Sequence, residues 1–149
     1  LCNELFQAVH KANHFKDVQT YYFHNCIYSK VYKTAECEIG EWVDLDYLFR
    51  HYDKDYTVII VGDAQMAPEE LLDKNGNYRG PNDGLSGYEW CQLLTQKYKK
   101  CVWLNPRYQG ELTRMHGKES ADKLAKLFHM YLLSVDGLKD AITYLLKTK

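Results

Sequence analysis

The sequence predicts an α/β sandwich: helices packed around a largely parallel, buried sheet. Three observations predict it. Strand-like and helix-like stretches alternate for most of the chain, which is the pattern of βαβ units. The strand "YTVIIV" at 56–61 carries four consecutive apolar residues, Val58 to Val61. A strand apolar on both faces belongs in a sheet covered on both sides. Finally, 149 residues at 46% hydrophobic and 26% charged are ordinary for a globular domain with a real core. No internal repeat or linker divides the chain, so 1–149 reads as a single domain.

Leu1, Leu5, Ala8, Val9 and Ala12 fall at helical spacing. No capping residue stands ahead of them, so the native protein is expected to continue upstream of Leu1. "VQTYYFH" (18–24) is rich in aromatic and β-branched residues and predicts a strand. "IYSKVY" (27–32) alternates apolar with polar and predicts a neighbouring, edge-type strand. Residues 33–43, with Gly40, read as a loop. Leu45, Leu48, Phe49 and Tyr52 mark an amphipathic helix. After the 56–61 strand, Pro68 with Glu69 and Glu70 suits a first helical turn.

"DKNGNYRGPNDGLSG" (73–87) has no periodicity and reads as an exposed loop. Trp90, Leu93, Leu94 and Tyr98 give the next helix, and "CVWL" (101–104) a short strand ended by Asn105-Pro106. An irregular stretch runs to about Gly117. Ser120 is expected to cap a helix whose apolar face is Leu124, Leu127, Phe128 and Tyr131. After a short apolar "YLL", Ser134 caps a last helix with the stripe Leu138, Ala141, Ile142, Leu145 and Leu146.

The charge balance narrows function. A net charge of -1 gives no footprint for nucleic acid or an anionic membrane. The cluster Lys97, Lys99 and Lys100 reads as a solvated helix end. No apolar stretch reaches the roughly 20 residues that span a bilayer. Five cysteines at 2, 26, 37, 91 and 101 form no CxxC pair, which fits reduced thiols in a cytoplasmic protein. The 13 tyrosines suit amphipathic core edges or a contact surface.

One carboxylate stands out. The buried-looking strand runs into Gly62 and Asp63, and ligands of open α/β sheets bind just outside the carboxyl ends of strands. Gly62 lets backbone or ligand approach closely. Asp63 at such a place holds a cation, serves as acid, base or nucleophile, or caps the helix that begins at Pro68.

The runs "VIIVGDAQMAP", "YYFHNCIY", "KKCVWLNP" and "LLSVDGLKDAITYL" together resemble von Willebrand factor type A (VWA) domains of the CoxE-like group, in order along the whole chain. The resemblance implies a Rossmann-like, three-layer α/β sandwich with a metal ion-dependent adhesion site at the sheet's carboxyl edge. Three loops build that site in the family: an Asp-x-Ser/Gly-x-Ser motif after the first strand, a threonine, and an aspartate. By its place in "VGDAQM", Asp63 looks like the third-loop aspartate. The first-loop motif is absent, and no threonine stands in "CEIGEWVDLDYL". Asp44 is the nearest oxygen donor there and Thr34 the nearest upstream hydroxyl. The implied metal residues are therefore Asp63 and Asp44, for Mg²⁺ (or Mn²⁺ or Ca²⁺), a cation that wants about six oxygen ligands.

In the family the first strand lies mid-sheet. Without it, strands 18–24 and 56–61 lose the neighbour between them. An upstream segment supplying that strand, or a substitute, is the expectation.

Other candidates are weaker. His24, Cys26 and Cys37 match no zinc spacing. His24-Asn25, Asn105-Pro106 and Ser134 stand at strand ends and are read as turn, cap or rim residues. No Gly-x-Ser-x-Gly, phosphate loop or dinucleotide fingerprint is present. The leading expectation is a non-enzymatic interaction domain. Its partner would be a protein offering a carboxylate to the bound cation. The resemblance also implies work alongside a MoxR-type AAA+ ATPase in protein maturation. Two alternatives stay open: a degenerate scaffold without metal, and a phosphotransfer or hydrolase enzyme using Asp63. The enzyme would want a second carboxylate and a lysine at neighbouring strand ends.

Overall fold

The structure is a computed structural model and describes residues 18–74, 84–107 and 117–148. A short antiparallel ribbon comes first: β1 (Lys30–Tyr32) pairs with β2 (Trp42–Asp44), with Val31 opposite Val43. Helix α1 (Leu45–His51) follows directly. The main sheet holds β3 (Val58–Val61), β4 (Cys101–Asn105) and β5 (His129–Leu132), all parallel, in that order. Helices α2 (Pro68–Leu72), α3 (Gly87–Lys97), α4 (Lys118–Leu127) and α5 (Val135–Lys147) complete the chain. The protein is thus a mixed α/β structure with a three-stranded parallel sheet flanked by helices, compatible with a Rossmann-like fold.

The side-chain period of a strand divides the core in two. Ile60 and Trp103 face α3 and α4, meeting Trp90, Leu94 and Leu124. Val102 and Leu104 face the other way, onto Ala141 and Leu145 of α5. β4 is buried at every position, as the middle strand of a sheet covered on both faces must be. Helix α5 is fixed at its start by Ser134, whose Oγ accepts from the Gly137 amide at 3.0 Å. A Cβ at Gly137 would sit 1.8 Å from the Leu132 carbonyl oxygen. Only glycine lets α5 dock this closely on the end of β5.

Several expectations need correction. Residues 18–24 form no strand: one antiparallel bridge joins Tyr22 to Tyr32, with bonds of 2.8 and 2.7 Å. Their aromatic pattern is used instead by Tyr21 and Phe23 packing on the core. Of 27–32, only Lys30–Tyr32 is strand, and its partner Trp42–Asp44 takes up the last two residues of the expected 33–43 loop. The 73–87 loop ends early, because Ser86 caps α3 by accepting from the Glu89 amide at 3.2 Å. Ser120 does not cap α4. That place belongs to Gly117, and Ser120 is buried inside the helix. Tyr131 is in β5, not on a helix face. The opening helix, most of the 73–87 loop and the stretch before Gly117 lie outside the described residues. Among the described residues no helix is long and apolar enough to cross a membrane, and β3 has one strand neighbour, β4.

Candidate functional site

The rim at the carboxyl ends of β3, β4 and β5 is built from three strand ends tied together. Leaving β3, the Gly62 amide still donates to the Leu104 carbonyl at 3.2 Å. The next two carbonyls are then held by side chains of β4. Trp103 Nε1 donates to Gly62 O at 2.8 Å, and Asn105 Nδ2 donates to Asp63 O at 3.1 Å. A Cβ on Gly62 would lie 3.3 Å from the Phe23 ring and 3.4 Å from Trp103. The glycine therefore admits two aromatic rings of this chain, which pack edge-to-face with each other at 6.3 Å.

Asp63 is exposed. One of its oxygens, Oδ1, accepts from the Gln65 amide at 3.1 Å, closing a local turn. Between them Ala64 adopts φ 58 while 1% exposed. A left-handed, buried non-glycine residue costs of order 1–3 kcal/mol and persists only where its surroundings impose it. Here they are the two carbonyl clamps and Gly117, whose added Cβ would meet the Gln65 backbone at 2.6 Å. Asp63 does not cap α2, whose N-cap, Ala67, has no side-chain bond. Its carboxylate is presented to solvent from a braced loop.

Asn105 is the centre of the rim and is 2% exposed. Beyond the Asp63 carbonyl, its Nδ2 lies 3.6 Å from Met130 Sδ, and its Oδ1 accepts from the Arg107 amide at 2.9 Å. Its own carbonyl accepts from the Leu133 amide at 2.7 Å. Ser134, next along, is spent on capping α5. Sequence reasoning placed Asn105 and Ser134 at this edge but missed Trp103. A tryptophan in the middle of a buried strand has an N–H that needs an acceptor, and that was the available signal.

Asp44 lies at the end of β2 in the ribbon. It makes an ion pair with Lys30 Nζ at 2.6 Å, and the same ammonium lies 5.1 Å from the Trp42 ring centroid. Thr34 turns the chain between β1 and β2, its carbonyl accepting from the Cys37 amide. Among the described residues no group of three or more His, Cys, Asp or Glu is placed to hold a metal ion. Asp63 alone does not make a Mg²⁺ site, which needs about six oxygens.

The His24 carbonyl accepts from the Cys26 amide at 2.7 Å across Asn25, which has φ 58. Burial pushes the thiols of Cys26 and Cys101 up to about 12, and that of Cys91 well above its ordinary value. Such thiols are inert as nucleophiles. Two tyrosines brace element junctions: Tyr28 OH donates to Glu70 O at 2.7 Å, and Tyr98 OH to Tyr52 O at 2.8 Å. Comparison with family models, curated proteins and solved structures found no match to this chain.

Proposed function

We propose that this chain is a VWA-type, CoxE-like protein-interaction domain that meets its partner at the rim around Asp63. The observation that carries the reading is an exposed carboxylate on a clamped loop at the carboxyl end of a parallel strand. Ligand sites of open α/β sheets lie there. The edge of β3 left unpaired among the described residues supports it as well, since a first strand bearing the Asp-x-Ser/Gly-x-Ser loop would pair there. The described residues do not complete a cation site. The further oxygens for Mg²⁺ would come from that loop and from a carboxylate of the partner. The cation would join two negatively charged groups that otherwise repel. A MoxR-type AAA+ ATPase is the proposed co-worker, in maturation or assembly of other proteins.

A metal-free scaffold is the second reading. Asp63 Oδ1 is already used by the Gln65 amide, and Asp44 is paired with Lys30. An enzyme using Asp63 is favoured by no observation: β4 ends in Asn105 and β5 in Leu132. Calorimetric titration of Mg²⁺ or Mn²⁺ into the full-length protein and its Asp63→Ala variant separates the first two readings. Binding that is lost on substitution supports the adhesion-type site. No binding by either leaves the metal-free scaffold, and equal binding by both eliminates the adhesion-type site at Asp63.

A further inference from the structure

Resting on the reading of Asp63 as the contact residue, we infer that Asn105 is the positioning residue that sets the Asp63 loop on the rim. Asn105 lies on β4, yet its carboxamide reaches across to the loop that leaves β3. Its Nδ2 donates to the Asp63 carbonyl and its Oδ1 takes the Arg107 amide. Its main-chain oxygen holds Leu133, beyond β5. The buried side chain therefore ties the Asp63 loop to the end of β4, and the main chain of the same residue ties β4 to the end of β5.

The geometry explains why this matters for the carboxylate. The peptide that carries the Asp63 carbonyl leads into Ala64, the residue with φ 58. Ala64 in turn aims the Gln65 amide back at Asp63 Oδ1. Releasing the carbonyl lets Ala64 relax toward an ordinary backbone conformation, and the Gln65 amide then leaves the carboxylate. Trp103 holds Gly62, one residue earlier, and Gly117 packs on the Gln65 backbone from the other side, so Asn105 is the support that bonds the Asp63 peptide itself. Asn105 therefore controls the direction in which Asp63 points without touching its carboxylate.

The test is ¹⁵N NMR of the full-length protein with Asn105→Ala and Asn105→Asp. In Asn105→Ala, the Gln65 and Arg107 amide protons both move upfield as their bonds loosen, while the amides of α5 stay in place. Asn105→Asp keeps an oxygen for Arg107 but loses the donor to the Asp63 carbonyl. At alkaline pH it moves Gln65 upfield and keeps the Arg107 bond, whose amide moves downfield if it moves, because a carboxylate is the stronger acceptor. On acidification the protonated carboxyl can donate again, and the Gln65 signal returns toward its wild-type position, with wild type titrated alongside as reference. Where wild type takes up Mg²⁺, Asn105→Ala weakens the affinity roughly tenfold. A Gln65 amide unmoved in Asn105→Asp at alkaline pH would overturn the assignment. So would Gln65 and Arg107 both moving upfield in that variant. Absence of Mg²⁺ uptake by wild type counts against the adhesion-site reading alone, because the Gln65 shift does not depend on metal.

Discussion

Replacing Gly137 by alanine tests how α5 is docked, and the structure sets its cost. The new Cβ would lie 1.8 Å from the Leu132 carbonyl oxygen and 2.8 Å from its carbon. Neither atom is the end of a flexible side chain, so relief requires α5 to lift from β5 by more than an ångström. That movement pulls the Gly137 amide off Ser134 Oγ, now 3.0 Å away. Loss of such a cap costs about 1 kcal/mol. It also opens the layer in which Ala141 and Leu145 cover Val102 and Leu104, and overpacking of this kind costs roughly 1–3 kcal/mol. The sum, about 2–4 kcal/mol, is a large share of the about 5–15 kcal/mol by which a domain is stable. Urea denaturation followed by fluorescence reads it, since Trp90 and Trp103 are 3% and 1% exposed. Ser134→Ala, which removes the cap without the clash, is the reference and should cost about 1 kcal/mol. A Gly137→Ala variant no less stable than Ser134→Ala would refute the reasoning.

Trp103→Phe keeps an aromatic ring against Phe128, now 5.1 Å away between centroids, but leaves the Gly62 carbonyl without its donor. A loss of about 1–3 kcal/mol is expected in the same denaturation assay; a neutral effect would show the clamp to be dispensable. Alkaline stability follows from the buried thiols. Cys26 and Cys101 are raised from 9.0 to about 12 and Cys91 moves the same way, each first through burial. The unfolded chain loses these protons first as pH rises. Their contribution is therefore intact below pH 9.0 and disappears on the way to about 12, at about 1.4 kcal/mol per thiol per pH unit. Urea midpoints should fall steeply across that window and less so in Cys101→Ala; midpoints flat across it would contradict the burial argument. Asp44→Asn breaks an ion pair whose acid is 61% exposed, so its cost should stay below about 1 kcal/mol by thermal melting, and a larger loss would mean that Asp44 does more than pair with Lys30.

How far the fold could be read in advance depended on whether a signal was local. The runs 58–61 and 101–104 announce strands through their apolar residues; 101–104 is buried throughout because β4 is the middle strand, whereas 58–61 lies beside it with Ile60 buried and its other three residues half-buried. Ser134 and the stripe behind it announce α5 because a cap and its helix are adjacent in the chain. Residues 18–24 misled for the opposite reason. "TYYF" has the composition of a strand, but a strand also needs a partner edge, and composition does not supply one. Trp42–Asp44 was hidden by the polar and glycine residues before it, and became a strand by pairing with Lys30–Tyr32. At Ser86 the signal was present and was overlooked. Serine followed three places later by Glu89 is a capping box, but Gly87 between them read as loop. At the site, Asp63 was legible from the end of its strand. Its support was not, because the Trp103 and Asn105 bonds join residues about 40 positions away, and the φ of Ala64 is imposed by those contacts.

The proposed function puts cation or partner contact at Asp63 on the rim and not at Asp44 in the ribbon. Mn²⁺ added in trace amounts to the ¹⁵N-labelled full-length protein tests it most directly, because a paramagnetic ion broadens the amides nearest to it. Early loss of the signals of Gly62 to Gln65, with those of Lys30 and Asp44 retained, is the expected result. Broadening centred on Lys30 and Asp44, or spread evenly over the exposed carboxylates, would contradict it.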